Sequence, residues 1–345
     1  MYRLSIILVA TLLALTAFKL REHIPATDQS QNAFTRYEIK GFAQGTTYHI
    51  IYYATDSIIT QAAIDSIVTR LDSSLSIYKP NSLVSQFNRS SSGIKPDIHL
   101  KNVVNKAIQT YQQTNGLFDI TVYPLTIGWG FGPGGRKGQM TDSFITQSLP
   151  CVNTKLLYWK GNFLAKKKPC VQLDPNGIAQ GYSVDIIANF IAKHRIINYL
   201  VELGGEIRIH GKKQPTKERL SIGIEAPGDD PEFSPLSLIV YPPEGGITTS
   251  GNYRRYYESN GKRISHLFDP RTGYPIQNEL ISVTLFAKDA FTSDAYDNAL
   301  MAMGLQKAMK FVEARKDFAA HFIFRRVDGT IADTMTSRFK PFLNR

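Results

Sequence analysis

The chain has 345 residues with ordinary apolar and charged fractions, 43% and 20%, which excludes a disordered or fibrous protein and leaves room for a large core. Its formal net charge is +11, but the basic residues are scattered and form no aromatic-interleaved stripe or nucleic-acid motif. The charge therefore predicts solvated basic faces that attract anions in general, and not nucleic-acid binding.

The N-terminal segment has the composition of a targeting sequence. Residues 4–18 are apolar apart from one serine and two threonines, and Arg3, Lys19 and Arg21 flank them. This run is short for a membrane span and typical of a secretory h-region. No small-x-small cleavage site follows, so we predict an uncleaved signal anchor over 1–22, with a cleaved signal peptide and a buried core helix as alternatives. A polar linker over 23–35 would then lead to a folded body over 36–345, exported and membrane-anchored, facing the periplasm or cell exterior.

In the body, period-2 and period-3.6 apolar patterns alternate without a regular βαβ order, which predicts an α+β fold with mixed β-sheets and packed helices. The predicted elements, in chain order, are a strand pair over Tyr37–Tyr53 broken at Gly41–Thr47, helices over Ile58–Leu75 and Asn102–Thr114, a hairpin around Lys160–Gly161, a helix from near Gly181, strands over Asn198–Leu203, Leu220–Glu225 and Leu236–Tyr241, helices from Thr292 and over Gln306–Ala314, and a strand pair near Ala319–Arg325.

The two cysteines flank the predicted hairpin symmetrically. Cys151 and Cys170 are equidistant from the Lys160–Gly161 junction, so in a regular ladder they would face one another. We predict a cross-strand disulfide, which suits an oxidising compartment; two unrelated buried thiols are the alternative. Before the hairpin, the glycine-dense loop 130–135 fits either a mobile lid over a ligand or a plain surface loop.

Three segments near the C-terminus carry the residue types of a site for an anionic, metal-bound substrate. Thr249–Tyr253 is predicted as a small-residue turn, and His266 precedes an Asp-Pro-x-x-Gly turn. Asp294 and Asn298 are four residues apart on a predicted helix, so their oxygens would share one face, as a hard cation requires. Upstream, a glycine-punctuated turn precedes the helix that starts near Gly181, a place where backbone N–H groups can bind phosphate.

Together these segments resemble the ApbE-type FAD:protein FMN transferases, a family of periplasmic flavin transferases. The resemblance runs from about Tyr37 to past Gly304, and its motifs, in the order of the family, are Gly45-Thr46-Thr47, Ser76-Ile77-Tyr78, Gly116-Leu117-Phe118-Asp119, Gly177-Ile178-Ala179 to Asp185, Leu203-Gly204-Gly205-Glu206, Thr249-Ser250-Gly251, His266 to Gly273, and Asp294. Several ordered motifs at compatible spacing are far more specific than any one of them.

The resemblance implies an enzyme of ApbE-like fold that binds FAD as substrate and Mg²⁺, with Ca²⁺ or Mn²⁺ as alternative metals. Such an enzyme splits the pyrophosphate and attaches FMN through a phosphoester to a threonine or serine of an acceptor flavoprotein subunit with an FMN-binding domain, releasing AMP. The metal ligands implied are Asp294, the Ala179 carbonyl and Asn298. The catalytic residues implied are Asp294 and His266, the latter in an acid–base or orienting role.

The resemblance also implies a set of FAD-binding residues: Tyr78, Asp119, Gln180, Asp185, Glu206, Thr249, Ser250, Gly251 and His266. Each has a structural alternative, such as core packing for Tyr78, or a turn or helix cap for Glu206 and Asp294. The chain departs from the usual family pattern at Gln44, Gln180 and Asn298, where methionine, lysine and threonine are common. An amide oxygen at Asn298 would retain metal binding with altered affinity, and Gln180 lacks a charge for phosphate or flavin.

Two further functions are compatible with the same residues. An FAD diphosphatase would use the same metal and pyrophosphate site, with water replacing the acceptor hydroxyl. A non-catalytic flavin-binding protein would account for Gln180 and Asn298, which replace the common lysine and threonine. A purely structural envelope protein would leave the grouping of Ser250, His266 and Asp294 without a purpose.

Overall fold

The computed structural model describes residues 34–135, 140–226, 236–253, 256–259 and 262–344. The strands are β1 Thr35–Ala43, β2 Thr46–Ala54, β3 Gly93–Ile94, β4 Leu157–Lys160, β5 Phe163–Lys166, β6 Tyr199–Leu203, β7 Glu206–His210, β8 Ile222–Glu225, β9 Leu236–Val240, β10 Gly245–Gly251, β11 Tyr256–Ser259, β12 Lys262–Ser265, β13 Leu280–Ala287, β14 Ala319–Arg325 and β15 Ile331–Met335. The α-helices are α1 Gln61–Leu75, α2 Leu83–Arg89, α3 Ile98–Gln113, α4 Tyr123–Trp129, α5 Asp142–Ser148, α6 Ala179–Lys193, α7 Ala290–Met303 and α8 Leu305–Glu313.

An eight-stranded sheet organises the body, in the order β1-β2-β6-β7-β10-β13-β14-β15. Every neighbouring pair in it is antiparallel. The α+β class is therefore confirmed, while the pairing within this sheet is antiparallel and not mixed. The strands β3, β4 and β5 form a separate small sheet, and β8–β9 and β11–β12 are two-stranded ribbons.

Side chains alternate between the two faces of the large sheet along each strand, and both faces carry buried apolar residues. On one face, residues such as Ile50, Val201 and Leu285 pack with α6 and α7 in the larger core. On the other face, Ile209 and Ile247 pack in a smaller core with β8, β9 and the C-terminal phenylalanines. Helices α6 and α7 lie side by side on the first face, and the candidate site lies where they meet.

Most predicted elements are confirmed within a few residues, and two expectations are wrong. Thr249–Gly251 is not a turn but the end of β10, paired with β13 through Thr249–Thr284 and Gly251–Ser282. The helix predicted from Thr292 begins at Ala290, because Asp289 accepts a 2.7 Å hydrogen bond from the Thr292 backbone N–H and caps it. Asp294 is therefore not the helix cap.

The predicted disulfide is present, but not inside a ladder. Cys151 and Cys170 are bridged with their Cα atoms 5.6 Å apart. The hairpin pairs Lys160 with Phe163 and Leu157 with Lys166, so its centre is one residue further along than predicted. Cys151 lies in a 3₁₀ turn before β4 and Cys170 in the turn after β5, so the bond joins the segments that enter and leave the hairpin.

The predicted signal anchor over 1–22, and the predicted linker as far as residue 33, lie outside the described residues. Of the helices that the structure does describe, none combines the length and apolar character needed to cross a bilayer. Thr35, at the end of the predicted linker, is already the first residue of β1.

Candidate active site

Helices α6 and α7 approach closely enough for backbone to touch side chain. The Gly181 backbone N–H donates a 2.7 Å hydrogen bond to Asp294 Oδ2. A Cβ placed on Gly181 would lie 2.4 Å from the Ala290 carbonyl oxygen and 2.6 Å from Asp294 Cβ, so only glycine fits. A Cβ on Gly177 would likewise lie 2.7 Å from Asn298 Nδ2. Asp294 and Asn298 therefore both face the 177–181 turn, as their spacing of four predicts.

Strand β10 bounds the same space with two hydroxyl groups. Thr248 Oγ1 donates to Asp297 Oδ2 at 2.8 Å, and Ser250 Oγ donates to Asn298 Oδ1 at 2.7 Å. Both side chains lie on the α7 face of the strand because they are two residues apart. Thr249 lies on the opposite face, where its hydroxyl is 2.9 Å from that of Thr284.

Asp297 belongs to the site although the sequence reasoning missed it. Its side chain is 2% exposed, against 4% for Asp294, and its Oδ1 is buried with no hydrogen-bond partner among the described residues. Glu206, at the start of β7, also has a buried Oε2 with no partner there. The spacing of three between Asp294 and Asp297 was the available signal, because residues three apart are neighbours on a helix surface.

Burial, and in second place neighbouring carboxylate charges, raise the pKa values of these three groups. Burial raises the pKa of Asp294 to about 7, against the opposing hydrogen bond from Gly181. Burial, followed by the charges of Asp294 and Asp297, raises the pKa of Glu206 well above its usual range. Burial and the charge of Asp294 do the same for Asp297. Raised pKa values favour the neutral form of these carboxyl groups, and a nearby cation would favour the ionised form.

The donor set is compatible with a hard divalent cation. Within the described part of the chain, no three His, Cys, Asp or Glu side chains converge in ligand geometry. A cation would therefore need carbonyl and amide oxygens beside carboxylates, which Ca²⁺ and Mg²⁺ accept. The Ala179 carbonyl, the Asn298 amide and Asp294 are such a mixture, and the orphaned oxygens of Asp297 and Glu206 add negative charge beside them.

Gln180 lies at the edge of this cluster. Its Nε2 lies 2.9 Å, and Glu206 Oε2 lies 3.3 Å, from the position that a Cβ on Gly204 would take. The neutral amide therefore shares the space above Gly204 with the Glu206 carboxylate. A lysine at this position would bring a positive charge to the carboxylates, which the glutamine does not.

Two other predicted FAD-binding residues have their carboxylates engaged in the scaffold. Asp185 accepts hydrogen bonds from the backbone N–H groups of Ala290 and Phe291, at 3.2 and 2.8 Å, at the start of α7. Burial raises its pKa to about 6. Asp119 accepts from the backbone and hydroxyl groups of Thr121 and Thr154, at 2.6 to 3.0 Å. Contact of either carboxylate with FAD stays a prediction.

His266 lies in a second group of residues, here called the aromatic cluster: Tyr78, Trp129, Phe131, Tyr257, His266 and Phe268. The Phe131 ring centroid is 5.5 Å from that of Tyr257, 6.2 Å from that of His266 and 5.8 Å from that of Phe268. The Tyr78 hydroxyl reaches the Phe131 carbonyl at 3.5 Å, and Tyr78 is 56% exposed. The cluster thus joins the glycine-rich loop, the predicted flavin-contacting tyrosine and the histidine.

A cavity of about 840 Å³ lies beside Trp129, between the 269–279 segment and the junction of α7 with α8. It is at the other end of α7 from Asp294, about 13 Å along the helix axis at the usual rise per residue. Size alone does not make it the reaction site. The buried carboxylates lie beside the start of α6 instead.

The site combines a glycine-rich helix N-terminus with buried carboxylates. Both features are found in enzymes that act on phosphorylated substrates with a cation. The family model described as ApbE family matches residues 44–322. The chain belongs to the ApbE family and is an enzyme of the FAD:protein FMN transferase class.

Relatives and solved structures agree with this assignment. The FAD:protein FMN transferase of Vibrio cholerae is 35% identical over 314 residues, covering 89% of this chain and 92% of its own. That of Escherichia coli K12 is 31% identical and covers 88% of each chain. The structure of the flavin transferase ApbE from Vibrio cholerae superposes with a TM-score of 0.81 at 34% identity, covering 90% of this chain and all of its own. The apo flavinyl transferase ApbE of Pseudomonas stutzeri gives 0.80 at 30% identity, covering 91% and 98%.

Proposed function

We propose that this enzyme transfers FMN from FAD to a threonine or serine hydroxyl of an acceptor flavoprotein in a reaction that requires Mg²⁺. The observation that carries the metal requirement is the set of buried carboxylates Asp294, Asp297 and Glu206. Asp297 and Glu206 each have a buried oxygen with no hydrogen-bond partner in the described part of the chain. A buried charge of this kind is stabilised by a cation, and a pyrophosphate substrate carries negative charge that needs one too. The transfer itself is supported by the similarity of this chain to FAD:protein FMN transferases.

The residues that would hold Mg²⁺ are Asp294, the Ala179 carbonyl and Asn298, with Asp297 close by. When bound, the metal would neutralise the negative charge of the pyrophosphate oxygens and the charge that develops on the leaving phosphate. Ser250 holds the Asn298 amide through a 2.7 Å hydrogen bond, and Gly181 holds Asp294, so both side chains are oriented before any ligand arrives.

The remaining chemistry is a displacement at phosphorus. The acceptor oxygen forms a bond to the phosphorus of the FMN half, the bond from that phosphorus to the bridging oxygen breaks, and AMP leaves with the electron pair. His266 accepts the proton of the hydroxyl, and the products are the FMN phosphoester and AMP. Tyr78 and the rest of the aromatic cluster offer π-faces against which the isoalloxazine ring can stack.

The test is to incubate the full-length protein with FAD, Mg²⁺ and a candidate FMN-binding domain, and to follow AMP release and acceptor mass together. We expect AMP in step with an acceptor mass gain of one FMN less water. AMP with free FMN and an unmodified acceptor would replace transfer by FAD hydrolysis, and the absence of AMP across several acceptors would leave a flavin-binding protein. A parallel reaction with EDTA tests the metal requirement.

We also propose that the enzyme works outside the cytoplasm, anchored by residues 1–22. The disulfide between Cys151 and Cys170 supports an oxidising location, and the apolar run at 4–18 supports export. Fractionation of cells that express the full chain should recover it with membranes, and a chain that begins at Thr35 should be recovered in the soluble fraction. Recovery of both forms in the same fraction would contradict the anchor.

A further inference from the structure

A short chain of hydrogen bonds connects the turn between β1 and β2 to the start of α6. Gln44 Nε2 donates to Ser183 Oγ at 3.0 Å, and Ser183 Oγ donates to the Ala179 carbonyl oxygen at 2.8 Å. Ser183 is fully buried. The remaining polar atom of the Gln44 side chain, Oε1, is buried and has no hydrogen-bond partner among the described residues.

These hydrogen bonds leave the Ala179 carbonyl oxygen with no free lone pair. An amide nitrogen only donates, so Ser183 Oγ accepts from Gln44 and its single proton is directed to Ala179. Ala179 is the first residue of α6, and in an α-helix its carbonyl also accepts the backbone N–H four residues on, that of Ser183. Since a carbonyl oxygen has two lone pairs, both are then in use. A cation that binds this carbonyl needs one of them.

We propose that Gln44 is a positioning residue that frees the Ala179 carbonyl for a divalent cation by accepting a hydrogen bond from the Ser183 hydroxyl group. When the cation binds, the Ser183 hydroxyl turns from Ala179 to Gln44. Half a turn of the Gln44 amide exchanges Nε2 for the unpartnered Oε1, so the buried hydroxyl keeps a partner. This inference rests on the metal site in the proposed function.

Without the amide, a cation at Ala179 would leave the Ser183 hydroxyl buried and unpaired. Such a group costs roughly 1–3 kcal/mol, which at 1.4 kcal/mol per tenfold corresponds to about a fivefold or greater loss of affinity. Gln44 lies in the left-handed region with φ 52°, a conformation that costs glutamine and methionine alike. Gln44→Met therefore removes both amide groups at similar volume without changing the backbone strain.

The experiment measures the affinity of the full-length protein for Mn²⁺ without FAD, counting free Mn²⁺ by electron paramagnetic resonance. We expect Gln44→Met to weaken Mn²⁺ binding about fivefold or more. Ser183→Ala should bind Mn²⁺ at least as tightly as the wild type, because the competing hydroxyl is gone. In the Ser183→Ala background, Gln44→Met should change nothing further, since the cycle isolates the coupling of the two side chains.

Controls separate this inference from the metal site itself. Gln147→Met removes another glutamine-to-serine hydrogen bond, to Ser143 at 3.2 Å on the surface of α5, and should bind Mn²⁺ like the wild type. Asp294→Asn should lose Mn²⁺ whether or not Gln44 has this role. Wild-type affinity in Gln44→Met, or the same loss with and without Ser183, would overturn the inference alone. Failure of the wild type to bind Mn²⁺ would overturn it together with the metal site.

Discussion

Asp294 is the side chain on which the proposed metal site depends most. Its carboxylate is buried between α6 and α7, and one of its oxygens is fixed by Gly181. Asp294→Asn keeps an acceptor for the Gly181 N–H and removes the charge. We expect Mg²⁺-dependent AMP release to fall on the order of 100-fold or more, while the thermal unfolding midpoint changes little. Turnover in Mg²⁺ equal to the wild type would remove Asp294 from the ligand set.

His266 should affect transfer more than binding. It lies in the aromatic cluster against Phe131 and is not one of the proposed metal ligands, so its loss should leave the proposed cation and pyrophosphate contacts in place. We expect His266→Ala to lower the rate of acceptor modification about 100-fold, with the dissociation constant for FAD within a few-fold of the wild type. His194→Ala, which removes an exposed histidine from the end of α6, is the matched control. Undiminished transfer by His266→Ala would exclude the acid–base role.

Some site residues can be predicted from the sequence and others cannot, because some are positioned by neighbours in sequence and others by residues far along the chain. Asp294 and Asn298 are on one helix, so a spacing of four is enough to put them on one face. The scaffold role of Asp185 depends on α7, more than a hundred residues later, and no local pattern shows it. Thr249 and Ser250 lie on opposite faces of β10, which could not be inferred while the segment was interpreted as a turn.

The contact between α6 and α7 requires glycine at its centre. Gly181→Ala would push a methyl group into the Ala290 carbonyl and Asp294, so the helices must separate. We expect a loss of about 1–3 kcal/mol in the free energy of unfolding and weaker Mn²⁺ binding, both measured on the purified variant.

Gly128→Ala is the matched control for this contact. It is also a glycine within a helix, but the atoms nearest to an added Cβ are the ends of the Met140 and Phe144 side chains, which can move. Alanine there should be close to neutral or slightly stabilising, because it has the higher helix propensity. Equal effects of the two substitutions would mean that helix separation is not the cause.

The disulfide closes the hairpin element at its base. Cys151 and Cys170 are 19 residues apart, and a cross-link of that length restricts the unfolded chain by about 3 kcal/mol. The free energy of unfolding, measured with denaturant, should therefore be larger for the oxidised protein than for the reduced protein by about this amount. The double variant Cys151→Ser with Cys170→Ser should match the reduced protein and should not respond to reductant. A response of that variant to reductant would show that the effect does not come from this bond.

At the scale of the whole molecule, one buried lysine should make stability depend on pH. Lys166 is 5% exposed and donates to the carbonyls of Phe87 and Val171, at 3.0 and 2.8 Å. Burial lowers its pKa from 10.5 to about 8. The unfolded lysine stays protonated to higher pH, so above about pH 8 the unfolded state binds more protons and the free energy of unfolding gains from this group as pH rises.

Lys166→Met removes that contribution. The free energy of unfolding of the wild type, minus that of the variant, should rise between about pH 8 and about pH 10 by up to about 1 kcal/mol per pH unit. Urea unfolding of both proteins across this range measures the difference directly. Tyrosines that titrate in the same pH range contribute equally to both proteins, so their contribution cancels in the difference. Parallel curves would show that Lys166 keeps an ordinary pKa.

The α+β class could be predicted from the alternation of apolar patterns, and the order of the large sheet could not. Tyr48 pairs with Leu203 across β2 and β6, and Ile247 with Ile207 across β10 and β7. These partners are separated by loops and helices whose path is decided by packing on both faces. Local periodicity contains no information on which strand is the neighbour.

The stacking of Trp129 on Phe268, with ring centroids 6.2 Å apart, has a use in the laboratory. The chain contains two tryptophans, and the other, Trp159, lies on the cysteine hairpin with its indole N–H bonded to Asn105. Tryptophan emission overlaps flavin absorption, so a flavin that enters the aromatic cluster will quench Trp129 by resonance energy transfer. In a Trp159→Phe background Trp129 is the single tryptophan, so its fluorescence reports the arrival of the flavin. Substrate binding can then be timed separately from AMP release.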